Sequence, residues 1–117
     1  MARTDESEKT VEAHLVRRMK EMGGKAYKFV SPGNAGVPDR VCVFPGNRKE
    51  LVELKGKGGS LTPIQRRRCA ELTRMGQRVW ILWSRREVDL FLMYMGGESD
   101  AVPAPPISVL LYRPPVG

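Results

Sequence analysis

Four short segments carry strand-like patterning. Residues 25–31, KAYKFVS, alternate apolar and polar positions. RVCVF at 40–44 and KELVELK at 49–55 flank a PGN turn, the arrangement of a hairpin. RVWILWS at 78–84 is almost wholly apolar, as in the buried middle of a sheet. Three other segments show helical spacing. In 7–22, Val11, Leu15, Met19 and Met22 recur on one side, Ser7 or Thr4 can cap the start, and Gly23-Gly24 ends it. A helix from Pro63 to about Met75 follows the cap Thr62, with Leu61, Ile64, Leu72 and Met75 on one face, and stops at Gly76. Residues 85–95 repeat Val88, Phe91, Leu92 and Met95. The order is α-β-β-β-α-β-α. The helix between the third and fourth strands is long enough for a right-handed crossover, so those strands should run parallel. This predicts an α/β fold, a mixed sheet flanked by helices. Residues 1–95 form its body. Residues 96–117 form a proline-rich tail, five of the nine prolines lying in the last fifteen residues, and 107–112 can add an edge strand or pack on the body or a dimer partner.

The length of 117 residues suits one domain with a hydrophobic core. No apolar run reaches the ~18 residues of a membrane span, and the polar start MARTDESEKT lacks a secretory signal pattern. A cytoplasmic, reducing location is expected, with Cys42 and Cys69 as free packing thiols. Twenty Lys and Arg against thirteen Asp and Glu, net +7, point to a polyanion partner, most commonly nucleic acid. The single histidine, His14, excludes His-rich zinc sites and paired-histidine nucleases. An enzyme built from this chain must use carboxylates and lysine.

One region supplies them. Residues two apart on a strand share a face, so Glu53 and Lys55 point together, while Asp39 opens the neighbouring strand of the hairpin. Asp39 and Glu53 can therefore converge. Two carboxylates brought together repel, and either a buried ion pair with Lys55 or a hard divalent cation relieves that; oxygen ligands favour Mg²⁺ or Mn²⁺. On the first helix both Glu8 and Glu12 fall on or beside the apolar stripe, where a carboxylate needs a partner.

The string Pro38-Asp39 followed by Glu53-x-Lys55 resembles the PD-(D/E)xK nuclease superfamily. SPGNAGVPDR at 31–40, LVELK at 51–55, the basic glycine loop and TPIQ at 62–65 together resemble the VRR-NUC family over roughly residues 8 to 93, in a layout similar to archaeal Holliday junction resolvases. That resemblance implies a restriction-endonuclease-like fold. It implies Asp39, Glu53 and the backbone carbonyl of Leu54 as metal ligands, Lys55 as the catalytic lysine, and Gln65 reaching into the site. It also implies Glu12 as the helix carboxylate, acting directly or through water, with Glu8 the competing choice. Mg²⁺ is the implied cofactor, with Mn²⁺ as a substitute.

Arg17, Arg18, Lys25, Lys28, Ser31, Arg40, Lys57, Arg66, Arg67 and Arg68 are candidates for gripping phosphates. With no base-reading helix visible, a shape such as branched or junction DNA is the expected substrate. A homodimeric Holliday junction resolvase is the leading expectation. A flap- or end-directed nuclease, a sequence-specific restriction-type enzyme and a basic module that binds DNA without cutting it are the alternatives.

Overall fold

The computed structural model describes residues 6–96 and 110–114. Its elements follow the predicted order: α1 (Glu8–Glu21), β1 (Lys25–Lys28), β2 (Arg40–Phe44), β3 (Arg48–Leu54), α2 (Pro63–Arg74), β4 (Val79–Leu82) and α3 (Arg85–Met95). The strands form one sheet in the order β1-β2-β3-β4, antiparallel except for the parallel pair β3–β4 that the α2 crossover demands. This is a mixed α/β sheet flanked by helices.

Local chemistry sets the boundaries. Ser7 caps α1, its Oγ accepting from the Thr10 amide at 3.1 Å; the other candidate, Thr4, lies outside the described residues. The β2–β3 turn passes through Gly46 at φ 85° and Asn47 at φ 67°, the left-handed pair that matches the twist of a hairpin. The first strand is shorter than its pattern. Regular pairing ends at Lys28, although the Phe29 amide still donates to the Asp39 carbonyl at 2.9 Å. The prolines and glycines of 32–38 then turn the chain away.

The two sheet faces are covered differently. On one side α1 and α3 bury Val11, Leu15, Met19, Val88, Phe91 and Leu92 against Ala26, Cys42, Val52 and Trp80. The Trp80 and Phe91 rings sit 4.9 Å apart by centroid. On the other side α2 packs over β4 with Cys69, Val79, Ile81, Leu61 and Leu72. The expected apolar face of α2 is only partly right. Ile64 and Met75 are exposed, and Cys69 is the fully buried residue of that helix. The helix meets β4 through Cys69 and Leu72, which face Val79 and Ile81.

Of the expected tail strand, residues 107–109 lie outside the described residues. Residues 110–112 run beside β4, where the Ile81 amide donates to the Leu110 carbonyl and the Tyr112 amide to the Val79 carbonyl, each at 2.7 Å. The contact is a single bridge, and it covers the β4 edge. Among the described residues, no helix is long and apolar enough to cross a membrane.

Candidate active site

The hairpin register brings the acids together. Arg40 pairs with Val52, so one step beyond that pair Asp39 falls opposite Glu53, and Glu53 pairs in turn with Ile81. Asp39 Oδ2 accepts from the Leu54 amide at 2.9 Å, which fixes the aspartate against the β3 backbone and places the Leu54 peptide at the site. Glu53 and Lys55 leave β3 on the same side and both are buried. Lys55 Nζ stands 3.5 Å from Glu53 Oε2.

Gln65 ties the pair together. Its Oε1 accepts from Lys55 Nζ at 3.0 Å and from the Thr62 amide at 2.9 Å, and its Nε2 donates to Glu53 Oε2 at 3.1 Å. The Thr62 hydroxyl accepts from the Gln65 amide at 3.2 Å, closing a capping box at the start of α2. One side chain thus completes the helix cap and bridges the acid to the lysine. Two donors on Oε1 set which end of the amide faces Glu53. The role of Thr62 was readable in advance from the T-x-x-Q spacing at 62–65, although that spacing signals only a helix start.

Glu53 is under electrostatic stress. Burial, then the charge of Asp39, push its carboxyl up to about 7, and Lys55 only partly opposes them. Its Oε1 is buried with no hydrogen-bond partner. A buried, unpaired carboxylate oxygen beside a second acid is an arrangement that a cation relieves. Among the described residues, no three His, Cys, Asp or Glu side chains lie close enough together to hold a metal ion. Asp39 and Glu53 would be the two carboxylates able to hold one, with water completing the shell. That set fits a small hard dication that keeps several of its own waters, as Mg²⁺ does.

The two glutamates of the first helix part company. Glu12 is tied to Arg40, with Nη2 and Nε donating to its Oε2 at 2.8 and 3.2 Å. Arg40 also donates to the Ala26 carbonyl at 3.0 Å. Glu8 shares the field of the site: burial and then the Asp39 charge raise its carboxyl, and it in turn raises Glu53. Glu8 is exposed at the start of α1 and is raised by burial and the Asp39 charge, while Glu12 is held by Arg40. Helical spacing left both residues inward, and only the position of Arg40 separates them. Arg40, expected as a phosphate contact, has its guanidinium engaged by Glu12 and the Ala26 carbonyl. The loop after β3 presses against the start of α1: a Cβ on Gly56 would lie 2.1 Å from the Glu8 amide nitrogen, so only glycine allows Glu8 this close.

The remaining basic candidates divide. Lys25, Lys28, Arg17, Lys57, Arg66 and Arg67 are exposed. Arg18 pairs with Asp89 and Glu21, Arg68 with the Ala35 carbonyl and Glu71, and Ser31 Oγ accepts from the Asn34 amide group. Cys42 and Cys69 are buried free thiols, raised by burial to about 12 and 11.

The VRR-NUC domain model matches residues 3–86. The chain belongs to the VRR-NUC domain family. It is 45% identical over 78 residues to "Putative nuclease p44" of Acyrthosiphon pisum secondary endosymbiont phage 1, a match spanning 67% of this chain and 84% of that one. A solved structure described as a VRR_NUC domain superposes with a TM-score of 0.67 at 22% identity, over 76% of this chain and 98% of the other, and shares its fold. As a VRR-NUC member the chain is a nuclease, and Asp39, Glu53, Lys55 and Gln65 lie within the matched span.

Proposed function

We propose that this VRR-NUC protein is a divalent-cation-dependent endonuclease that hydrolyses phosphodiester bonds in branched DNA, four-way junctions foremost, and that it works as a homodimer. The single observation that carries the hydrolytic reading is the Asp39–Glu53–Lys55–Gln65 cluster, its Glu53 and Lys55 buried and its Glu53 Oε1 orphaned. A bound Mg²⁺ would offset the carboxylate charge and polarise the scissile phosphate.

The protein's own groups do the rest. Asp39, anchored by the Leu54 amide, and Glu53, anchored by Gln65, form a rigid acidic pair. Gln65 holds the Lys55 ammonium at the rim of that pair, where it can donate to the attacking water or to a non-bridging phosphate oxygen as negative charge develops. Glu8 adds a carboxylate from the start of α1. In-line attack by water forms the new P–O bond as the P–O3′ bond breaks, and the departing 3′ oxygen takes a proton from solvent, leaving a 5′-phosphate and a 3′-hydroxyl. The net charge of +7 supports a DNA backbone partner, and the exposed cations Arg17, Lys25, Lys28, Lys57, Arg66 and Arg67 suit phosphate contacts. The short capped helices, with no exposed recognition helix among the described residues, support recognition of shape over base sequence.

The test is gel-resolved cleavage of a labelled four-way junction, a flapped duplex and a plain duplex of shared sequence, in Mg²⁺, in Ca²⁺ and in EDTA, with Lys55→Ala beside the wild type. Paired, symmetric junction nicks that need Mg²⁺ and vanish in K55A are expected. Flap cutting with the same dependence would keep the chemistry and move the substrate. Tight binding with no cleavage in any metal would refute the hydrolytic reading.

A further inference from the structure

The acidic pair lies at one end of a sheet face that no helix covers over β1 and β2 among the described residues. Register defines that face row by row. Phe29, Asp39 and Glu53 lie side by side in the first row. Tyr27, Val41 and Leu51 make the second row, and Lys25, Val43 and Lys49 the third. Successive rows are about 7 Å apart along the strands. The helices α1 and α3 pack on the opposite face, and α2 covers the β4 side of this one. The surface leading away from the site is therefore an aromatic, aliphatic and basic strip. Tyr27 is 50% exposed at its centre, and Lys25 Nζ lies over its ring, 4.9 Å from the centroid, so a mobile surface cation and an exposed aromatic ring sit together in the strip.

We propose that this strip binds an unpaired segment of the DNA substrate, with a base stacked on Tyr27 and the flanking phosphates held by Lys25 and Lys49. The inference rests on the nuclease reading of the same site and adds what the substrate must contain. Stacking on an exposed aromatic ring uses the flat of a base, and inside a duplex those surfaces are already stacked on their neighbours. Stacking on Tyr27 therefore selects nucleotides freed at a branch point, gap or flap, about one row from Asp39. Such stacking tolerates any base, in keeping with recognition by shape. The lysines choose this occupant over a second copy of the chain. Their charge complements a phosphate backbone directly, in line with the chain's net +7.

The test is fluorescence anisotropy in Ca²⁺, comparing a labelled duplex with a short single-stranded gap against the same duplex fully paired. Wild type, Tyr27→Ala, Tyr27→Phe and the double variant Lys25→Ala/Lys49→Ala are titrated at several salt concentrations. Y27A should weaken gapped-DNA binding by about 5- to 150-fold, the range of one base–aromatic stack, and leave paired-duplex binding within about twofold. Y27F keeps the ring and should bind as wild type does. The lysine variant should weaken binding and lower the salt slope by about two.

Equal loss on both DNAs, or no loss with Y27A, would overturn the proposal. So would a dimer that falls to monomer in Y27A by analytical ultracentrifugation, since the strip would then be an interface between copies. The two readings fail separately. Cleavage that needs Lys55 but ignores Tyr27 in binding sinks only this inference. Tyr27-dependent gap binding without cleavage in any metal sinks only the hydrolytic one.

Discussion

Replacing Glu53 with Gln should make the metal-free protein more stable at alkaline pH while abolishing cleavage. The carboxyl is 1% exposed, its Oε1 has no partner, and burial with Asp39 holds its pKa near 7 against an ordinary 4.5. Between those values the native state holds a proton that the unfolded chain has released, so stability falls as pH rises through that window. The gap is about two and a half pH units at 1.36 kcal/mol each, hence about 3 kcal/mol lost by pH 8. Glutamine carries no charge to bury and escapes the loss. Its amide would sit unsatisfied where Oε1 was, a cost of about 1–3 kcal/mol that is the same at every pH and so does not enter the slope. The assay is urea unfolding in EDTA at pH 4.5, 6 and 8. The stability of E53Q relative to wild type should rise by about 3 kcal/mol from pH 4.5 to 8, a midpoint shift of about 2 M at a slope of about 1.5 kcal/mol/M. A difference that stays flat with pH would refute the reasoning, because Lys55 would then be neutralising Glu53 in full. Added Mg²⁺ should stabilise wild type at pH 8 and leave E53Q unmoved.

Other outcomes follow from the same geometry. Glu8→Gln should weaken Mg²⁺-dependent activity with little change in melting temperature, whereas Glu12→Gln should cost about 1–3 kcal/mol by leaving the half-buried Arg40 short of a partner; equal effects in both assays would contradict the separation of the two glutamates. Thr62→Ala removes the cap on Gln65 and should cost about 1 kcal/mol in thermal unfolding while lowering kcat without raising KM, with Thr62→Ser restoring both. Gly56→Ala places a methyl against the Glu8 amide and should destabilise by more than 2 kcal/mol, measured by denaturant midpoint. Arg78→Ala takes the guanidinium from the buried Glu50, which keeps the Trp80 indole at 2.8 Å, and should cost about 1–3 kcal/mol by denaturant midpoint.

Much of this protein could be read along its chain, because the deciding effects are local. Alternation of side chains put Glu53 and Lys55 on one side of a strand, the PGN turn set the hairpin register, and the length of α2 required a parallel β3–β4 pair. Those three facts make Asp39 meet Glu53. Other features depend on groups far apart in sequence. Glu8 and Glu12 share one helical stripe, and only the arrival of Arg40 from β2 separates them. Helical periodicity misplaced Ile64 and Met75, because Cys69, Leu61 and Leu72 are the residues that meet Val79 and Ile81. The uncovered strip around Tyr27 is likewise invisible in a strand pattern, since alternation says which residues share a face but not whether a helix lies over it. Spacing along the chain determined which chemistry this protein carries. Where that chemistry is stressed, and what surface leads to it, was decided by tertiary packing, because burial and charge fields depend on neighbours that the sequence places tens of residues away.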